Sequence, residues 1–221
     1  RHKQALAARP PVDAKGPALV RADAGQSKEM PREGDTWTYA VIDVAYKPND
    51  RSRKFVHTIR SVKRGTLVEE VSQRGVSLGQ ASFTDDVSAL YRPKIDMLEV
   101  APYLAAFRRL NAGDRLSAAP IRGLESIAIA ASTGETPYEF DGARVVGPER
   151  VTVPAGSFDA IRVEFDGRMS SVLLNMSASI RGYAQYKQIV WYAPQVKRVV
   201  RQLMQAPGLA MAYELESYTL N

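Results

Sequence analysis

The stretch Val151–Phe165, VTVPAGSFDAIRVEF, constrains this chain more than any other. Val151 and Val153 alternate with Thr152; beyond a short break, Ile161, Val163 and Phe165 alternate with Arg162, Glu164 and Asp166. Alternation of period two on both flanks specifies two half-buried antiparallel strands. Between them, Pro154 presets φ for the first corner of a type I turn, and Gly156 supplies a residue able to take the left-handed position that closes it. Phe158 then resumes the apolar pattern. The stretch predicts a hairpin in a sheet protein and names no chemistry.

The chain has 221 residues, of which 45% are apolar, enough for a core and against global disorder. Cysteine is absent, which removes disulfides, thiolate nucleophiles and cysteine-based zinc or iron–sulfur sites together. No stretch approaches the ~20 apolar residues that cross a bilayer as a helix, so the chain is expected to be soluble or peripheral to a membrane. The first residue is Arg1 rather than Met, which fits a leader removed upstream or a shortened chain. Net charge is +6, and half of it belongs to the first thirty residues, where six basic side chains face Asp13, Asp23 and Glu29. A basic arm on a balanced body points to a solvating tail or to a polyanionic surface such as lipid headgroups, and away from nucleic acid.

Residues 1–33 carry Pro10, Pro11, Pro17 and Pro31 with no sustained apolar period, and read as a flexible or extended arm. Residues 34–221 read as a single domain. Gly34-Asp35 opens a strand with Trp37, Tyr39 and Val41 on one face; Phe55–Lys63, Leu67–Gln73 and Val76–Thr84 follow as a meander, with corners at Arg64-Gly65 and Arg74-Gly75. From Pro102, Tyr103, Phe107 and Leu110 recur at helical spacing until Asn111-Ala112-Gly113, so a short helix is expected there. Strands then resume at Tyr138 and continue through KQIVWY, Lys197–Gln205 and Met211–Leu220. The sum is an all-β fold, a strongly curved antiparallel sheet of half-barrel type with one short helical plug.

The order V-x-V-P-A-G-x-F-x-A from Val151, W-Y-A-P from Trp191, V-V-R from Val199 and Y-E-L-x-S-Y from Tyr213, with G-D-x-W-x-Y from Gly34, resembles a group of bacterial exported proteins of unknown function, the TapB-like group. Its members are similar to the half-barrel of the periplasmic lipoprotein carriers LolA and LolB, a curved sheet around a helical plug. The resemblance implies a periplasmic or exported protein, with association to the outer membrane as a further expectation, and brings no catalytic residues. In this chain Gln195-Val196-Lys197 replaces the glycine usual after W-Y-A-P.

Candidate chemistry is sparse. Gly75-Val76-Ser77-Leu78-Gly79 matches the nucleophile elbow G-x-S-x-G, but both histidines, His2 and His57, precede Ser77, and the segment reads as a strand. His57 reads as a surface strand histidine, and one histidine builds no histidine-based metal site. Asp85-Asp86 lacks calcium-loop spacing. The pairs Glu139/Asp141 and Glu164/Asp166 fall in the solvent-facing phase of their strands. Asn175-Met176-Ser177 is a glycosylation sequon of little weight. No catalytic residue, metal or cofactor is expected.

The remaining signal is apolar. Trp37, Tyr39, Phe158, Ile161, Val163, Phe165, Trp191 and Leu215 are the expected inward set, with Val172, Leu173, Leu174 and Met176 as a lip over it. Ordinary core is the plainer reading of these residues. The functional reading is a site for a lipid or a lipidated partner in the concavity of a non-enzymatic envelope protein. The alternative is an accessory subunit of an envelope protein assembly, contacting partners through sheet edges and the N-terminal arm.

Overall fold

A computed structural model describes residues 30–64, 66–84, 89–92, 97–100, 112–113, 115–116, 121–122, 138–170 and 183–221. The all-β expectation holds. Strands β1 (Thr36–Asp43), β2 (Lys54–Lys63), β3 (Thr66–Gln73), β4 (Val76–Thr84), β5 (Ala89–Arg92), β6 (Met97–Val100), β7 (Arg115–Leu116), β8 (Ile121–Arg122), β9 (Tyr138–Val153), β10 (Gly156–Ser170), β11 (Tyr183–Ala193), β12 (Arg198–Ala206) and β13 (Leu209–Thr219) follow in chain order. Ten of them form one open antiparallel sheet in the order β4-β3-β2-β1-β13-β12-β11-β10-β9-β7. The first and last long strands therefore meet in its middle.

A second, three-stranded sheet, β6-β5-β8, includes a parallel pair between β5 and β8. Its short strands fall where the apolar pattern breaks at Tyr91-Arg92-Pro93, and too few residues alternate there to announce them. The helix expected at 102–110 lies outside the described residues.

The central hairpin forms as its sequence specifies, with Val153 paired to Gly156 around Pro154-Ala155. Gly156 has φ of +138°, a conformation that side chains with a Cβ resist. The flanking strands run 16 and 15 residues, longer than the alternation alone marks out. Register slips in β9 opposite Arg162/Val163 and Asp166/Gly167 bend this long hairpin. The curl brings its tip across the sheet: Ala155 N–H donates to the Leu215 carbonyl at 3.1 Å, although β11 and β12 separate β10 from β13.

Arg74 and Gly75 both take positive φ, 51° and 77°, as a tight two-residue hairpin requires. After W-Y-A-P, Pro194–Val196 forms a single 3-10 turn, and Lys197 takes the left-handed position at φ 60° where a glycine is usual. The Lys197 N–H closes that turn on the Pro194 carbonyl at 3.2 Å.

Candidate functional site on the inner face

The inner face is built row by row from register. Trp37 pairs with His57 and His57 with Val71, while Tyr39 pairs with Phe55 on one side and Leu215 on the other. Paired residues share a face. Trp37, Tyr39, Leu67 and Leu215 are wholly buried, with Phe55 and Ile59 at 1% exposure. Trp37 Nε1–H donates to the Val196 carbonyl at 2.9 Å, and the Tyr39 hydroxyl donates to the Val199 carbonyl at 2.5 Å. Both large aromatic residues thus spend their polar atoms on backbone, as buried Trp and Tyr must.

A charged cluster is set into this wall. His57, expected on the surface, is fully buried, because Phe55, His57 and Ile59 share the inward phase of β2. Its Nδ1 lies 2.8 Å from Glu69 Oε1 and its Nε2 bonds the Tyr213 hydroxyl. The carboxylate favours the tautomer in which Nδ1–H donates to Glu69 and Nε2 accepts from Tyr213. Arg198 Nη2 sits 3.2 Å from His57 Nδ1 and 3.4 Å from Glu69 Oε2, so guanidinium and imidazole share one carboxylate. The Arg198 guanidinium also lies over Tyr39 and Trp37, 4.9 and 5.6 Å from the ring centroids. Tyr39 stacks on Tyr213 at 4.4 Å.

Glu, His and Tyr in series form a chain along which a proton can move. Every member is sealed, however, and a catalytic base must come within hydrogen-bond reach of a reacting atom. The cluster as it stands is architectural: each charge is paired, as burial demands. Sequence reasoning missed Glu69, Arg198 and Tyr213. The available signal was a charged residue in the buried phase, as in Leu67-x-Glu69-x-Val71.

The expected inward residues divide. Val163 pairs with Val190, and Ile161 and Phe165 share that side of β10, facing inward with Trp37, Tyr39 and Leu215. Trp191 pairs with Arg162 and Arg201, on the opposite side from its neighbour Val190. It is 4% exposed, covered by two guanidiniums whose carbons lie 5.5 and 5.4 Å from its ring. Its Nε1 has no hydrogen-bond partner among the described residues. Phe158 leaves β10 on the side opposite Ile161, three positions along an uninterrupted register, and packs 6.1 Å from Tyr218 where the hairpin tip crosses the sheet. Leu173, Leu174 and Met176, with Val172, lie outside the described residues, as does the sequon.

Glu164, expected on a solvent face, is 8% exposed on the outer side. Long cationic side chains bury it: Arg162 Nη2 approaches at 2.6 Å, Arg144 Nη2 at 3.1 Å and Lys187 Nζ at 3.4 Å. Burial pushes its carboxyl up, and the hydrogen bonds from Arg144 and Arg162 with the Lys187 charge outweigh that, leaving it below the usual value. Asp166 is exposed as expected, whereas nothing is described of the Glu139 and Asp141 side chains. Ser77 is exposed on β4, its Oγ accepting from Gly79 N–H at 3.3 Å, while His57 is committed to Glu69 and Tyr213.

Asp35 closes the domain. Fully buried, it accepts from the backbone N–H groups of Arg32 and Asn221, both at 2.8 Å, with Lys197 Nζ at 3.3 Å. Gly-Asp at this position is therefore a clamp joining the entrance of β1, the turn after β11 and the end of the chain.

No protein-family model matches this chain, and no curated protein does. Among the solved structures similar to it are two from bacteria. One, provisionally assigned as a lipoprotein of Parabacteroides distasonis, has a TM-score of 0.50 and 14% identity over 86% of this chain and 98% of that one. The other, provisionally an exported protein of Bacteroides fragilis with a YmcC-like fold, has a TM-score of 0.48 and 16% identity over the same shares. At such identities the first likeness is one of fold.

Proposed function

We propose that this chain is a non-enzymatic component of the bacterial cell envelope that acts by contact, joining a protein assembly through its sheet edges and its N-terminal arm, residues 1–33. The sealed inner wall carries this reading: Trp37, Tyr39 and Leu215 are 0% exposed, with the Glu69–His57–Arg198 charges buried among them. A ligand entering there would first have to break a buried ion pair, at a cost of ~3–5 kcal/mol. The fold shared with a protein provisionally assigned as a lipoprotein supports a place in the envelope, in the periplasm or outside it, and a seat next to the outer membrane is part of the proposal. The basic arm fits an anionic surface, and neither nucleic acid nor a cofactor has a part in the reading.

A second reading rests on Ile161, Val163 and Phe165, an apolar row on the inner side of β10 with Ile161 only half-buried. That row is where a lipid or lipidated partner would lie if the kinship with the LolA and LolB carriers extends to activity. Native mass spectrometry of the protein purified from its own envelope, with lipid extraction in parallel, separates the two. A co-purifying protein supports the contact reading; a stoichiometric lipid or acylated peptide with no protein partner overturns it in favour of the carrier.

A further inference from the structure

The seam between β1 and β13 changes character at one residue. Over residues 209–214, β13 is paired on one side with β12, and its other side follows β1 from Asp43 back to Tyr39. At Glu216 the register slips: Tyr39 faces Leu215, Thr38 faces Ser217, and Glu216 is the extra residue of a β-bulge. Past the bulge only three pairs remain, Thr38 with Ser217, Trp37 with Tyr218 and Thr36 with Thr219, and no other described strand pairs with that stretch of β13. Ser217, Tyr218 and Thr219 are exposed. The bulge itself is pinned, since Arg51 Nε holds the Glu216 carboxylate at 2.7 Å and Lys54 Nζ holds it at 3.1 Å. A short, one-sided, exposed stretch beyond a fixed point is the kind of segment that opens locally while the rest of a sheet stays closed.

The far end of this stretch is fastened around one carboxylate. Asp35 accepts from the Asn221 N–H at 2.8 Å, from the Arg32 N–H at 2.8 Å and from Lys197 Nζ at 3.3 Å. Arg32 Nη1 donates in turn to the Asn221 carbonyl at 3.2 Å, and Asn221 Nδ2 donates to the Glu33 carbonyl at 3.1 Å. Gly34, at φ +89°, makes room for this seat, because a Cβ there would collide with Asn221 Nδ2. Leu220, half-buried against the core cluster, and Tyr218, 6.1 Å from the Phe158 ring, add apolar contact. We propose that residues 217–221 are a strap that swings off β1 as a unit about Glu216, with Asp35 as its latch. Opening gives β1 an edge over residues 36–38 in the middle of the sheet, where an extended segment can pair. Because Arg32 bonds both Asp35 and Asn221, displacing the chain where it enters the domain loosens the strap. The device belongs to the sheet itself and holds under either reading of function.

Residue-resolved hydrogen exchange of the full chain by NMR, repeated at several low urea concentrations, tests this. In the wild type, the Asn221 amide and those amides of residues 217–219 that bond β1 should be protected. They should nevertheless exchange at least about tenfold faster than the β10 and β11 amides and respond little to urea, as a local opening does. Asp35→Asn should speed the strap amides by at least about tenfold again, with their urea dependence still low. Lys197→Gly removes one bond of the latch and places at φ 60° a residue that adopts it freely. It should act on the same amides more weakly, and it keeps the latch testable where Asp35→Asn fails to fold. Strap amides without protection in the wild type mean a frayed end; strap amides that share the urea dependence of β10 and β11 mean a sheet that opens only as a whole. Either result overturns the proposal, and so does acceleration by neither variant.

Discussion

His57 Nδ1 and Glu69 Oε1 lie 2.8 Å apart with both side chains at 0% exposure, on adjacent strands of the sheet's inner wall. Arg198 completes the group from β12, so the β2–β3 hairpin is tied to a strand far along the chain by charges that have no access to water. Removing the carboxylate takes the anion from beside a guanidinium that is buried in the interior. Glu69→Ala should lower unfolding free energy by ~3–5 kcal/mol in urea titration. Glu69→Gln, which keeps an acceptor, should cost less. Equal effects from the two would show that the charge has no part in stability.

The two tryptophans offer an internal comparison. Trp37 Nε1 bonds the Val196 carbonyl, and Trp191 Nε1 has no partner among the described residues. Replacement by Phe removes similar bulk at each site but orphans a carbonyl only at the first. Trp37→Phe should therefore destabilise more than Trp191→Phe, by ~1–3 kcal/mol in denaturant unfolding. A larger loss at Trp191 would mean that its two arginine contacts, rather than hydrogen bonding, govern the site.

At Gly156 the backbone itself is the constraint, since φ is +138° and an added Cβ would meet the Phe158 ring only at ordinary contact distance, 3.7 Å. Gly156→Ala should cost ~1–3 kcal/mol through strain alone. The loss should persist when Phe158 is also shortened to Leu; if it vanishes there, crowding and not φ is the cause.

Acid should loosen the outer face. The Glu164 carboxyl, which burial raises and which Arg144, Arg162 and Lys187 lower further, has a folded value below its unfolded one, as has Glu216 beside Arg51 and Lys54 against the same opposing burial. A depressed carboxylate stabilises the fold fully above the unfolded value of ~4.3, and that stabilisation is lost as pH falls through the lower folded value. Tm followed from pH 7 downward should fall in this acid window, and Glu164→Gln should flatten the decline. A variant whose Tm profile stays parallel to the wild type would count against the coupling.

Much of the sheet was legible because its signals are local. Val151–Phe165 carries its own turn chemistry, and β4 begins and ends at Val76 and Thr84, where alternation begins and ends. Faces were harder. Phe158 and Ile161 both read as inward because each resumes an apolar pattern; an odd spacing along the strand separates them, and Phe158 still reaches the buried cluster of Trp37 and Tyr39 because the hairpin tip crosses the sheet. Trp191 read as core by size and is buried at 4%, and two arginine side chains complete its cover, which no local pattern announces. His57 and Glu164 were misread for one reason: polarity was taken as exposure, whereas Glu69 on the next strand and Arg198 from β12 bury the first, and Arg162, Arg144 and Lys187 cover the second.

The pairing of β1 with β13 has a consequence in time. Thr36 meets Thr219 and Asp43 meets Met211, so the seam between the two halves of the sheet joins residues nearly a whole chain apart. Contacts of that span are slow to find, because most of the loop between them must be closed first. Until the last strand is available, β1 has a vacant edge and Asp35 lacks the Asn221 amide it receives. A polypeptide with this seam stays pliable until β13 lies beside β1, so the two halves of its sheet lock together in one late step rather than strand by strand.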